Sequence, residues 1–251
     1  MLEITRRNRM FRIKEVWFDD YPHDVDGCHR VVFCDCKNKA DGSGFDCKRQ
    51  APTLVIDLTQ DLDVIWGKMN RGSCRQPILK AEKEGIEVKW NHDCDEFYKM
   101  YCSIARVKGL SSLRPLEVIK KHGTLFVAEY NCEIISGICY LEDKNTMRAL
   151  VAGSKRFDGD MAYASRVARA TKLIVWRALT YAKDRGIREF DMGGYYTEEV
   201  KDEQREGVNI FKRRFGGELT MRYVYQKDYS AVYKLARRVC RLKRNLIECK
   251  D

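Results

Sequence analysis

No stretch of this 251-residue chain approaches the ~20 consecutive apolar residues that a membrane-spanning helix requires. The opening residues, MLEITRRNRMFRIKE, have no apolar central run, so they do not read as a secretory signal. The expectation is a cytoplasmic protein. Paired C-x-x-C knuckles, the usual zinc spacing, are missing as well. Histidine is scarce: His23, His29, His92 and His122 stand in turn-like or polar surroundings without a serine or cysteine partner motif. No nucleophile triad can be argued, and each imidazole is expected at the surface. Internal repeats and low-complexity segments are absent too.

What is present is a globular composition, 44% hydrophobic and 33% charged, able to bury a sizeable core. Forty-seven Lys and Arg against 37 Asp and Glu give a formal charge of +10. That excess favours polyanionic partners, namely RNA, phosphorylated metabolites or an anionic membrane face, although general solubility explains it equally. Eleven cysteines form an odd, scattered set, which points to a reducing compartment rather than a disulfide framework. Cys28, Cys34, Cys36 and Cys47, with His29 beside the first, offer zinc-ligand types at spacings that do not suit zinc. Free, half-buried thiols and no metal are the expectation.

The chain opens with short strands, FRIKEVWF and RVVFCDC, around the turn-rich DDYPHDVDG. PTLVIDL is a further strand, and Thr59 a plausible cap for the helix DLDVIWGKMN, with Asp61 and Asp63 in its first turn. CRQPILKAEKEG reads as a helix, IEVKW as a strand and CDEFYKMYCSIARVKG as a third helix. TLFVAEY, EIISGICYL and TMRALVAG are joined by very short turns, so they form an antiparallel meander. A helix over 161–185 lines one face with Val167, Ala170, Ile174, Ala178 and Tyr181, while Arg166, Arg169, Lys172 and Arg177 avoid that face. IREFDM must then lie parallel to the strand before the helix. GVNIFKRRFGG is a short helix stopped by two glycines, and GELTMRYVY is the last strand. A terminal helix from near Asp228 shows an apolar face through Tyr229, Val232, Tyr233, Ala236 and Val239. Its basic stripe, Lys234, Arg237, Arg241 and Arg244, faces tRNA or anionic lipid, or else only solvent.

This order resembles the GNAT acyltransferase fold: an α/β (α+β) domain with a mixed, largely antiparallel sheet, splayed central strands and helices on both faces. Two segments are similar to Fem-type peptidyltransferases. One is TLVIDLTQDLDVIWGKMNRGSCRQPILKAEKEGIEVKW. The other is EFDMGGYYTEEVKDEQREGVNIFKRRFGGEL, with Asp-x-Gly-Gly at a strand end and then Phe-Lys-x-x-Phe-Gly-Gly. The resemblance covers residues 53–226, leaving 1–52 as a strand-and-loop segment integral to the domain and 227–251 as the basic C-terminal helix. It implies an acyltransferase that moves an aminoacyl group from aminoacyl-tRNA, or an acyl group, to an amine such as that of a cell-wall peptide precursor. No cofactor beyond the donor substrate is implied. The segment AGSKRFDGDMAYASRV lacks the R-x-x-G-x-G/A turn that holds a pyrophosphate at a helix N-terminus, so coenzyme A is the alternative donor. A non-catalytic RNA- or membrane-binding domain of the same fold is the rival from another class. The best-known Fem enzymes carry two such domains and this length suits one, so the acceptor stays open, as does the oligomeric state.

Attack of an amine on an activated ester or thioester needs positioning and positive charge or N–H donors at the developing oxyanion. Lys212, beside the Phe211/Phe215 face, suits that task, and the resemblance implies that it stabilises charge on the acyl-transfer intermediate; the bland reading is a solvated lysine. Asp191 either orients the amine or Lys212, or accepts loop N–H bonds at its strand end. Gly193 and Gly194 admit a ligand close to the backbone or merely turn the chain. Tyr195 and Tyr196 line a donor pocket or pack. Arg71, Arg75 and Lys80 hold substrate phosphates or form a solvated basic face.

Overall fold

The computed structural model describes residues 1–8, 10–109, 113–197 and 203–248. The chain divides into two compact units, Met1–Ala51 with Met221–Asp251, and Pro52–Thr220.

In the first unit, β1 (Leu2–Asn8) pairs antiparallel with β2 (Phe11–Trp17), and β2 runs parallel to β3 (Arg30–Cys36). The sequence reading did not anticipate β1. LEITRRN carries few apolar residues, and only Ile4 is buried. Val16, Val31, Phe33 and Cys36 gather around Tyr225 in this unit's core. Burial pushes the Cys36 thiol up to about 12, so it packs as a small apolar side chain.

β4 (Asp46–Asp57) enters the second unit and α1 (Leu62–Lys68) follows. Thr59 does not cap this helix; its N–H and hydroxyl both donate to Asp57 Oδ1, at 2.8 and 2.7 Å, and Asp61 takes the cap position. Next come a π-helical turn at Arg71–Arg75, α2 (Gln76–Lys83), β5 (Glu87–Trp90), α3 (Cys94–Val107) and α4 (Leu116–His122). The meander is β6 (Thr124–Tyr130), β7 (Glu133–Glu142) and β8 (Thr146–Ser154). Asn131 and Cys132 both have positive φ, 51° and 63°, as a two-residue hairpin turn requires. α5 (Met161–Asp184) crosses to β9 (Glu189–Gly194), which runs parallel to β8. α6 (Glu203–Arg213) and β10 (Glu218–Asp228) follow. The polar loop read between β9 and α6 lies partly outside the described residues.

The sheet of this unit has the order β4–β9–β8–β7–β6–β5 and is antiparallel except for β8–β9. It is the expected mixed sheet. Along β6 the pleat sends Phe126 and Ala128 to one face, with α1, α2 and α5, and Leu125 and Val127 to the other, with α3 and α4. On α5 Val167, Ala170, Ile174 and Ala178 of the predicted stripe are buried and Tyr181 is half-buried, but Lys172 is buried too, at 8% exposure, against expectation.

β10 leads back into the first unit, pairing with β3, and ends at Asp228; α7 (Ala231–Glu248) therefore starts later than the sequence reading placed it. Of the predicted apolar face Tyr233 is buried, against Phe11 at 5.0 Å between ring centroids, while Val232 and Val239 are exposed.

Candidate active site

The rungs joining β8 to β9 are Thr146–Glu189, Met147–Phe190 and Arg148–Asp191, although both strands run on past them. Beyond Arg148 the two strands no longer pair, and a cavity of about 640 Å³ lies there. Ala149 and Ala152 of β8 face Phe190 and Met192 of β9 across it. Val175 of α5 and Phe211 of α6 close its sides, and Lys212 reaches its wall.

Asp191 sits on the last rung and is fully buried, at 0% exposure. Its Oδ1 accepts the Gly193 N–H at 2.6 Å and the Thr53 hydroxyl, and its Oδ2 pairs with the Arg148 guanidinium. Arg148 also donates to Thr53 Oγ1 at 3.3 Å. A buried carboxylate is tolerable because each oxygen is used. The same contacts fix the backbone turn that follows. Gly193 has φ +82°, and a Cβ there would lie 3.3 Å from the Ala149 carbonyl and 3.7 Å from Lys212 Nζ. The left-handed backbone and this approach both call for glycine.

Lys212 Nζ donates to the Gly194 carbonyl at 2.5 Å. Burial pushes its ammonium down to about 8; the Asp191 carboxylate opposes that shift, and Arg148 adds to it. α6 aims this lysine through its neighbours. Phe215 is fully buried in the core, whereas Phe211 is half-buried, 5.3 Å from Phe215 between ring centroids, and forms cavity wall. The Phe-Gly-Gly end allows close passage: a Cβ on Gly216 would sit 2.7 Å from the Lys68 carbonyl, and one on Gly217 would sit 2.3 Å from Leu54 Cδ2. Arg213 points elsewhere, to Glu206 at 2.6 Å.

The structure thus gathers Lys212, Asp191, Gly193, Gly194 and Phe211 about one opening. Phe215 supports from behind. Tyr195 donates its N–H to the Pro52 carbonyl at 2.8 Å and packs its ring on the core. Tyr196 is exposed, its backbone held by Asn209 through bonds of 3.1 and 2.7 Å. Neither tyrosine lines the cavity. Arg71 and Arg75 stand on the π-helical turn and Lys80 on α2; none of the three lines the cavity, and Lys80 pairs with Glu84 at 3.9 Å. Sequence reasoning missed Arg148, Thr53 and Asn209. An arginine inside a strand facing an Asp-x-Gly-Gly strand end was the available signal for the first.

The fold can be placed by comparison. The chain is similar to FemX, with a TM-score of 0.65 at 11% identity over 93% of this chain and 85% of that one. It is similar to the C-terminal domain (DUF2156) of a protein assigned as a lysylphosphatidylglycerol synthetase from Agrobacterium fabrum, with a TM-score of 0.58 at 14% identity over 93% and 82%. L-PGS from Bacillus licheniformis matches with a TM-score of 0.50 at 13% identity over 78% and 67%. No protein-family model and no curated protein matches the sequence. These likenesses show a FemX-like fold.

Proposed function

We propose that the protein is an acyltransferase that forms an amide from an activated acyl or aminoacyl ester and an amine. The observation that carries this reading is Lys212 at the opening between β8 and β9, held by Gly194 and backed by the buried Asp191–Arg148 pair. The amine nitrogen attacks the carbonyl carbon, a C–N bond forms, and the ester C–O bond breaks. The proton lost by the amine leaves with the departing hydroxyl. Protonated Lys212 supplies positive charge where the carbonyl oxygen becomes an oxyanion, and the apolar walls keep that interaction strong. Asp191 is a positioning residue, since its oxygens are occupied by Arg148, Thr53 and Gly193.

Aminoacyl-tRNA is the donor we favour. The N-terminus of α5, where a coenzyme A pyrophosphate would need free N–H groups, is capped by the chain's own Asp160, which accepts the Tyr163 N–H at 2.7 Å. A net charge of +10 suits a nucleic-acid donor. A peripheral contact with anionic lipid belongs to the same reading: α7 exposes Val232 and Leu235, at 65% and 63%, beside Lys234 and Arg238. Among the described residues no helix is long and apolar enough to cross a membrane. The test is single-turnover transfer from a mixed aminoacyl-tRNA pool to small primary amines, with acetyl-coenzyme A as the competing donor. Transfer that needs Lys212 is the expected result. Transfer from acetyl-coenzyme A alone would move the donor assignment, and none from either would end the reading.

A further inference from the structure

Lys172 is the one lysine in the core of the described residues, and its surroundings do not explain it. Its ammonium donates to the Ala168 carbonyl of its own helix at 3.2 Å, and among the described residues it pairs with no carboxylate. Buried ammonium groups ordinarily have an acid beside them. The charged groups around Lys172 are instead cations: Arg214, Arg156 and Arg169, with the Cys74 thiol adjoining. Arg169 is taken up by Glu84 in a two-pronged pair at 2.8 Å. The others have no such partner among the described residues.

Asn70 brings a further cation to this place. Its N–H donates to the Arg214 carbonyl at 2.9 Å, and its carbonyl accepts the Arg75 N–H at 3.1 Å, so the end of α6 and the π-helical turn are tied at one residue. Arg75 Nε is buried without a hydrogen-bond partner, and the charges of Lys172, Arg214 and Arg75 all act on the Cys74 thiol. π-turns of this kind recur at functional sites. The cluster borders the cavity: Arg156 belongs to its lining, as does Phe211, whose ring centroid lies 5.9 Å from Lys172 Nζ. Burial and the neighbouring arginines push the Lys172 ammonium below its ordinary value, which an arriving anion would reverse.

We propose that Lys172, Arg75, Arg156 and Arg214 form a phosphate-binding subsite at the edge of the acyl cavity, which takes a phosphate of the activated donor. The proposal rests on the acyl-transfer reading for the identity of the donor, but not for the existence of the site. A carboxylate presents its two oxygens in one plane, whereas the tetrahedral oxygens of a phosphate, or the paired groups of a pyrophosphate, can engage several cations from different sides, and guanidinium forks match their geometry. Two donors carry such a group: an aminoacylated RNA, with the phosphate of its terminal nucleotide close to the acyl end, and coenzyme A, with its pyrophosphate one pantetheine arm away from the acyl end.

The test is calorimetric titration of inorganic pyrophosphate into the full chain at low salt, read without turnover, so that it stands whether or not acyl transfer is found. Pyrophosphate should bind, and Lys172→Met and Arg214→Gln should each weaken it roughly tenfold or more, as loss of a charge-assisted hydrogen bond does. Arg177→Gln, on the exposed side of α5 and paired with Glu82, should leave it unchanged. If Lys172→Met fails to fold, Arg156→Gln, at an exposed position, takes its place. Displacement of bound pyrophosphate by a short RNA hairpin ending in CCA, or by coenzyme A, identifies the source. Absent pyrophosphate binding, affinity unchanged in the variants, or displacement by neither donor overturns the proposal.

Discussion

Lys212 is held where its charge is disfavoured, and that gives its role a measurable sign. Its ammonium titrates at about 8, against an ordinary 10.5. If the charged form stabilises an oxyanion, turnover falls as pH rises through about 8; a general base at the same position would give turnover that rises through it. Lys212→Met should cost ~10²–10³ in turnover, the loss typical of one oxyanion-stabilising group. Stability should move the other way. A lysine with a depressed folded value opposes folding most below that value, and the penalty fades as pH rises towards the unfolded one. Lys212→Met should therefore melt no lower than the wild type at pH 7, and a clear fall in its melting temperature would contradict the assignment. Arg148→Met is a different case. It leaves Asp191 buried without its cation, and breaking such a pair costs about 3–5 kcal/mol, readable by denaturant unfolding. Asp191 and Lys212 stood out in the sequence through their motifs. Arg148 did not, because its pairing spans 43 residues and depends on which rung of β8 meets β9.

At the scale of elements, the run GVNIFKRRFGG answers for both packing and aim. The sequence places Phe211 and Phe215 on one helical face, and from that spacing both are expected to anchor α6. The structure divides the work: Phe215 is fully buried and Phe211 forms cavity wall. Phe215→Ala should then lower stability by roughly 3–5 kcal/mol, the usual cost of deleting a buried ring. Phe211→Ala should cost less stability and raise KM or change the acyl group accepted; equal melting temperatures for the two variants would refute this division. Arg213→Ala should leave turnover nearly intact, since Arg213 faces Glu206. The β6–β8 meander and the α5 crossover were legible because short turns and a long amphipathic stripe dictate them locally. β1 and the burial of Lys172 were not. A polar strand forms only when a partner strand accepts its backbone, and Lys172 shares its part of α5 with Ala170 and Leu173, so periodicity alone counted it outward.

On the scale of the whole molecule, the excess of 47 basic over 37 acidic residues is the feature whose partner most needs measuring. Pairs such as Arg148–Asp191 and Arg169–Glu84 take one cation and one anion each and leave that excess unchanged. Part of it stays on the surface, as at Lys234 and Arg238 of α7. Surface cations that neutralise RNA phosphates release condensed counterions, so affinity must fall linearly with salt on logarithmic axes, with a slope that counts the contacts. A donor held through several contacts should lose at least tenfold in affinity between ~50 and ~200 mM salt. Coenzyme A, with few phosphates, should show a shallow slope and weaker binding. Filter binding of deacylated tRNA across that range, beside calorimetry with acetyl-coenzyme A, separates the two. Steep salt dependence for tRNA with weak coenzyme A binding is the expected outcome. Tight coenzyme A binding with tRNA affinity negligible at every salt concentration would assign the donor to the thioester and leave the surface charge to solubility.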